Sequence, residues 1–294
     1  MKKDLAALVR ARLLSVAKAQ GVDFNQILVR FALGRMLYRL SLSKHADQFL
    51  LKGPLLFTLW YDMPHRPTRD ADLLGFGPSD LESIAATFRD IADVAVEDGI
   101  VFDPESVSIS EIRKDAGYAG ARVLMTGDVA KARCKTQIDI GFGDAVTPGP
   151  VFAVYPLLLD DFPAPRLRTY PVYTVISEKL HAIALLGMTN SRMKDYLDIW
   201  VLLEREDLDA DTLAKAIAAT FGRRGMPIPV SLPIGLTVEF AADPSRQTMW
   251  LAFLKKNRLA MTPLLDVVAM LRTKLAPALT QAAACLIENS RHEE

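Results

Sequence analysis

Cysteine is scarce in this sequence: Cys134 and Cys285 are the two in 294 residues. They lie far apart and outside any CxxC spacing, which excludes a disulfide framework and a thiolate zinc site and fits a reducing cytosol. An excess of charge of either sign is also missing, since 35 Lys and Arg meet 35 Asp and Glu. A nucleic-acid partner must then be held by a local patch, without help from global attraction. No apolar run reaches the roughly 18 to 20 residues that span a bilayer, because Arg, Lys or Asp interrupts each candidate. The start, Met1-Lys2-Lys3-Asp4, leads into an amphipathic pattern and not into an apolar signal core. A cytoplasmic protein with no membrane association is expected. His45, His65, His181 and His292 show no HExxH or other ligand spacing. GxSxG, Walker and GxGxxG motifs are missing too, which argues against zinc-protease, serine-hydrolase, P-loop and dinucleotide-binding chemistry.

What is present is the composition of a globular protein, 50% hydrophobic and 24% charged, long enough for one large domain or two modest ones. Residues 3–20 carry apolar positions at helical spacing and end at Gly21, and Asp23 is placed to cap a second helix running to about residue 43. Phe49 to Gly53 reads as a short buried strand turning into a helix at Pro54, where a missing N–H costs nothing. A proline-broken loop, 63–68, precedes a strand from Asp70 to Phe76. Ser79 and Glu82 form a capping box ahead of Ile84, Phe88, Ile91 and Val94. From 100 to 143 the period changes to two, and Val107 to Ile112, Ala119 to Met125 and Cys134 to Phe142 read as strands of a mostly antiparallel meander. Six prolines between 144 and 172 mark a connection. Helical patterns follow at about 174–187, 191–205, 211–222, 245–258 and 262–289, the last broken or bent at Pro277. The fold expected is α+β: a mixed-sheet core with two leading helices over residues 1–165, and a helical C-terminal lobe over 166–294.

The sharpest chemical signal is Arg66-Pro67-Thr68-Arg69-Asp70-Ala71-Asp72. In a strand, residues two apart project from one face about 6 to 7 Å apart, so Asp70 and Asp72 pair their carboxylates while Ala71 and Leu73 pack inward. Hard oxygen ligands of this kind suit Mg²⁺ or Mn²⁺, and two such ions can clamp the attacking and leaving oxygens of a phosphoryl displacement. Two solvated edge residues would leave the same pattern. Asp139, between Ile138 and Ile140, is a carboxylate inside an apolar strand and needs a cation, hydrogen bonds or a shifted pKa. If its strand lies beside that of Asp70, the three acids share a face, and the third can complete a metal site or act as a general base. Alternation with Gln137 equally allows it to face water.

Further on, Lys194 and Asp198 stand at i,i+4 and Asp195 and Asp198 at i,i+3, each pair on a common helix face. Lys179 is followed by Leu180, Ala182, Ile183, Leu185 and Leu186, and Asp198 lies among Leu197, Ile199, Trp200 and Val201, so both read as charges at a cleft wall. Such a lysine can neutralise triphosphate charge as pyrophosphate leaves. His181 reads as structural, and Trp60 and Tyr61 as core. Lys255-Lys256-x-Arg258 and Arg223-Arg224 are either solvated faces or contacts to RNA phosphates.

Together, Lys52-Gly53, Arg66-x-Thr68-x-Asp70-x-Asp72, Glu178-Lys179-Leu180-His181-Ala182 and Arg192-x-Lys194-Asp195-x-x-Asp198 resemble the AbiEii/AbiGii nucleotidyltransferase toxins of bacterial toxin-antitoxin and phage-abortive systems, in order and spacing over about residues 45–205. The resemblance implies a polymerase-beta-like nucleotidyltransferase core in which Asp70 and Asp72 are the metal-binding pair; with them, Asp139 is expected to complete the metal site or activate the acceptor hydroxyl. It places Lys179 and Asp198 at the other active-site positions. By the same resemblance Lys52 and Gly53 open the nucleotide loop; Thr68, Arg69 and Lys194 are the further residues expected, from their own positions and chemistry, to hold the triphosphate with Lys52 and Lys179. It further implies transfer from NTP to an RNA 3′ end, the acceptor end of tRNA, with a block of translation, and a separately encoded antitoxin. One departure is plain. After Gly53 the family has a second glycine and a small hydroxyl residue, whereas this chain has Pro54-Leu55-Leu56, with Thr58 and Thr68 the next hydroxyls. Transfer to a small-molecule or protein hydroxyl, and a non-catalytic binding role for the same fold, are the alternatives.

Overall fold

Gly21 ends one helix and Asp23 starts the next. The computed structural model describes residues 2–61, 70–113 and 119–292. In it α1 (Lys2–Gln20) stops at Gly21, whose φ of +63° suits a residue without Cβ. The Val22 N–H then closes the helix end on the Ala17 carbonyl at 3.1 Å. The Asp23 carboxylate accepts from the Asn25 N–H and caps α2 (Phe24–Leu42), as its sequence position predicts. Val9, Leu13 and Ala17 form the buried stripe of α1. Most of α2 is buried, including Arg35 and Arg39.

Strand β1 (Phe49–Lys52) turns through Gly53 and Pro54 into α3 (Leu55–Tyr61), and β2 (Asp70–Gly75) leads to α4 (Leu81–Asp93). The cap of α4 is Asp80, whose carboxylate accepts from the Ser83 N–H at 2.8 Å. The helix therefore begins one residue later than a Ser79–Glu82 box would start it. Three long strands follow, β3 (Val101–Arg113), β4 (Ala119–Val129) and β5 (Ala132–Phe142). They pair antiparallel as the expected meander, with β3 shifting register between Asp103 and Ser108. The β4–β5 turn places Ala130 and Lys131 at positive φ. Asp128 steadies it by accepting from the Lys131 N–H at 2.8 Å.

The proline-dense stretch is more than a connection. It contains β6 (Val151–Val154) and β7 (Arg166–Thr169), which fit because Pro148 and Pro150 precede the first and Pro156, Pro163 and Pro165 lie between the two. The seven strands run β3-β4-β5-β2-β1-β7-β6. Strand β2 pairs parallel with β5 and antiparallel with β1, and β1 pairs parallel with β7. The mixed sheet and the α+β class expected of the sequence are what the chain forms. Trp60 and Tyr61 are only half-buried, and of the aromatic trio on α3 Phe57 alone belongs to the core.

Met1–Gly143 with Val151–Thr169 make up the sheet-containing unit, and Asp144–Pro150 with Tyr170–Glu294 the helical one. The helical unit comprises α5 (Val172–Leu186), α6 (Met193–Arg205), α7 (Ala210–Arg223), α8 (Val238–Ala242), α9 (Pro244–Asn257) and α10 (Leu264–His292). Helix α10 runs through Pro277 without ending there. Pro277 removes one N–H, but Leu271, Leu275, Ala278, Leu279 and Ala282 are buried on both sides of it, and that apolar stripe outweighs one lost backbone bond.

The core of the sheet unit contains an ion triad with no access to water. Asp98, with a side-chain exposure of 0%, accepts from Arg35 Nε at 2.7 Å and from Arg39 Nη1 and Nη2 at 2.7 and 3.1 Å. The surplus positive charge is spread over the Pro163 and Ile100 carbonyls and over the faces of Tyr38, Phe162 and Phe102. Removing the acid strands two buried guanidinium groups. Asp98→Ala is therefore expected to cost about 3 to 5 kcal/mol of unfolding free energy, as read from urea unfolding curves, and a loss under 1 kcal/mol contradicts this assignment.

Candidate active site

Four neighbouring strands each bring one charged residue to the same level of the sheet. Lys52 of β1 is the register partner of Asp72 on β2, Asp72 of Asp139 on β5, and Asp139 of Arg122 on β4. Paired residues point to the same face, with Cβ atoms about 4.5 to 5.5 Å apart, so the row reads cation, acid, acid, cation. Asp70 stands one step along β2 on the same face, opposite Gln137. Ala71 and Leu73, both 0% exposed, fill the other face. Period-two alternation thus puts the carboxylate pair on one side and the core on the other, as the sequence predicts. The parallel β2–β5 pairing brings Asp139 beside them, a proximity that the sequence left conditional.

Asp139 is half-buried and both its oxygens are engaged. Arg122 donates from Nε to Oδ1 at 2.9 Å and from Nη2 to Oδ2 at 2.8 Å, and Gln137 Nε2 donates to Oδ1 at 3.3 Å. The hydrogen bonds to Asp139 raise the Arg122 pKa first of all. Burial opposes this, and the charges of Asp139, Asp70 and Asp72 add to it.

Gly53 explains why a glycine follows Lys52. Its φ is +71°, and a Cβ there would lie 2.8 Å from Cβ and Cγ of Asp72. A side chain would therefore collide with the carboxylate the site presents. Thr58 supplies no substitute hydroxyl at the turn, being buried and hydrogen-bonded to the Tyr155 hydroxyl. Thr68 and Arg69 lie outside the described residues. Among the described residues no group of three or more His, Cys, Asp or Glu is arranged to hold a metal ion. Asp70 and Asp72 carry hard oxygen donors of the kind that suit a divalent cation, and Gly53, against which the Asp72 carboxylate packs, has no Cβ to displace it.

The helical unit joins the other expected residues. Lys179 on α5 donates from Nζ to Asp198 Oδ2 at 2.7 Å and to Asp195 Oδ1 at 2.9 Å, both acids standing on α6. Burial works against the ammonium, but the charges of Asp195 and Asp198 and these bonds outweigh it and hold the lysine pKa above its usual value. Arg192 Nε closes on Asp195 Oδ2 at 2.7 Å. Lys194 is exposed. Beside this clamp, Arg224 bridges Asp144 at 3.0 Å and Glu178 at 3.4 Å, and the Tyr170 hydroxyl donates to Glu178 at 3.2 Å. Arg224 is thus committed to acids and drops out of the Arg223-Arg224 patch that the sequence offered to RNA. His181 packs edge-on to Phe221 with its Nδ1 3.4 Å from Arg224. Burial, and then the Arg224 charge, push its pKa down to about 4.

A family model described as the nucleotidyl transferase AbiEii toxin of a type IV toxin-antitoxin system matches residues 35–283. The chain belongs to the AbiEii nucleotidyltransferase toxin family. Comparison with curated proteins gives no match. Two solved structures from Helicobacter pylori are similar over most of the chain. One is JHP933, with 16% identity, a TM-score of 0.48, and 91% of this chain and 97% of that one covered. The other is described as a candidate nucleotidyltransferase, with 17% identity, a TM-score of 0.46, and coverages of 88% and 96%.

For this AbiEii-family protein, sequence reasoning missed Arg122, the pairing of Arg224 with Asp144 and Glu178, and the contact of Asp195 with Lys179. A basic residue inside the apolar run of β4 was the available signal for Arg122. For Arg224 there was none, because its partners lie 80 and 46 residues earlier in the chain.

Two measurements test this geometry. Gly21→Ala, in open space at positive φ, should cost about 1 kcal/mol of stability. Gly53→Ala should cost roughly 1 to 3 kcal/mol more through the clash with Asp72, and equal losses would show that Asp72 moves freely. The second concerns pH. Unfolded His181 titrates near 6.5 and the folded residue near 4, so the unfolded chain holds the extra proton between these values and stability falls as pH falls through that window. His181→Asn should flatten the decline by about 1 to 2 kcal/mol in urea titrations from pH 6.5 to 4, and an unchanged slope contradicts the assignment.

Proposed function

We propose that this chain transfers a nucleotide from an NTP to the 3′-hydroxyl of an RNA, the acceptor end of tRNA, and so blocks translation as the toxin partner of a separately encoded antitoxin. The observation that carries this reading is the face on which Asp70 and Asp72 stand beside Asp139 with Lys52 alongside. A divalent cation, Mg²⁺ or Mn²⁺, bound to Asp70 and Asp72 would supply the positive charge that phosphoryl transfer needs. Lys52 adds a nearly buried positive charge next to Asp72, suited to a phosphate oxygen in a poorly solvated site. Gly53 keeps the backbone of the turn clear of the acid pair, and Thr68 and Arg69 are assigned to the triphosphate by their place just before Asp70. Lys179, fixed by Asp198, is the second group on which activity depends, and Lys194 is assigned to phosphate as an exposed cation of α6.

An RNA acceptor is supported by Lys255, Lys256 and Arg258, all exposed at the C-terminal end of α9, a cluster that meets phosphates without reading sequence. No helix among the described residues is long and apolar enough to cross a membrane.

The test is incubation of the purified protein with total RNA and each labelled NTP in turn, beside Asp70→Ala and Lys179→Ala. Label is expected in a band of tRNA size with at least one nucleotide. It should fall by about 100-fold or more in Asp70→Ala, the order of loss that follows removal of a principal charge-stabilising group. Absence of label from every RNA band with all four nucleotides would overturn the RNA acceptor.

A further inference from the structure

We propose that Arg122 binds the phosphate chain of the nucleotide at the Asp70–Asp72 pair, and that Asp139 is the positioning residue that aims it. The proposal rests on the nucleotide-transfer reading above and assigns that site an anion-binding residue which its sequence motifs do not contain.

The fork between the two side chains comes first. Nε and Nη2 of Arg122 meet the two oxygens of Asp139 at 2.9 and 2.8 Å in parallel, a geometry that fixes the guanidinium plane as well as its position. Two of the five N–H donors are spent in this way, and the remaining three are directed away from the Asp139 carboxylate. At 40% side-chain exposure Arg122 is open to a ligand, whereas Asp139, at 13%, is not. The acid is the enclosed, doubly engaged member of the pair, and the cation is the member that faces outward.

The second argument is the field at that position. Arg122 interacts with the charges of Asp70 and Asp72 as well as with its own partner, so it sits beside the carboxylates that fit a divalent cation. A polyphosphate carrying such a cation presents both kinds of group that this face can take, a metal to the acids and free phosphate oxygens to the guanidinium. Arginine suits the second task because its planar donors match two phosphate oxygens at once, which the single ammonium of a lysine does not do.

A cross-strand ion pair could serve the sheet alone, so the test must read something stability does not. Full-length protein is titrated with magnesium tripolyphosphate, with each magnesium NTP and with the matching monophosphates by calorimetry. Mn²⁺ binding is measured alone by electron paramagnetic resonance. The variants are Arg122→Gln, Arg122→Lys, Asp139→Asn and the Arg122→Gln/Asp139→Asn double. Melting temperatures confirm that each is folded, and Arg122→Lys stands in should the glutamine variant unfold.

Arg122→Gln is expected to weaken triphosphate and tripolyphosphate binding about tenfold or more, to change monophosphate binding less, and to leave Mn²⁺ affinity within about threefold. Arg122→Lys should fall between it and the native chain. Asp139→Asn should weaken triphosphate binding by a smaller factor in the native background and not at all in the Arg122→Gln background, since a positioning residue has nothing left to aim. Native triphosphate affinity in Arg122→Gln overturns this proposal alone. So does a loss of Mn²⁺ affinity caused by Asp139→Asn when Arg122 is already absent, which would make Asp139 a metal ligand. Failure of the native, folded chain to bind any triphosphate overturns the nucleotide reading beneath it.

Discussion

Asp72 and Asp139 stand side by side on parallel strands, and two like charges at sheet spacing repel. At about 5 Å and an effective dielectric near 20, the repulsion is roughly 3 kcal/mol. The protein answers with a cation on each flank, Lys52 next to Asp72 and Arg122 next to Asp139. The whole face follows from this constraint. The register thus alternates the signs at the two ends of the row and sets a cation beside each of the adjacent acids.

The helical unit solves a related problem differently. There Asp195 and Asp198, almost without exposure, are joined to a single lysine on the neighbouring helix. The ammonium stays charged despite burial because two carboxylates hold it, so Lys179 is a fixed point of positive charge and a clamp between α5 and α6 at once. The triad of Asp98 with Arg35 and Arg39 applies the same chemistry where no ligand reaches it. Buried ion pairs in this chain are therefore not markers of function by themselves. The row on β1, β2, β5 and β4 differs because it lies on one face of the sheet at a common register, and because Arg122, at 40% side-chain exposure, is reached by solvent.

Much of this was legible from residue order. Gly21 and Asp23 announced the end of α1 and the start of α2, and alternation along β2 placed Asp70 and Asp72 on one face. The meander of β3, β4 and β5 followed from its period of two. The spacing of four short motifs pointed to the family whose model matches residues 35–283. Other elements were hidden because their cause is not local. Strands β6 and β7 are four residues each, and although Val151-Phe152-Ala153-Val154 has strand composition, so short a run among prolines reads as loop until β1 and β7 pair. Helix α10 passes Pro277 because of what it buries, and α4 starts at Asp80 because that carboxylate reaches the Ser83 N–H.

The sequence by itself determined which residues carry charge on which face of each strand or helix, since that depends only on the periods of the two structures. It showed too that a carboxylate stands between Ile138 and Ile140, and left open whether that side chain is enclosed or faces water. Only the tertiary structure decided what that aspartate meets. The parallel pairing of β2 with β5 and the antiparallel pairing of β5 with β4 set Asp72 on one side of Asp139 and Arg122 on the other, and register between strands is a property of the assembled sheet that no single segment encodes.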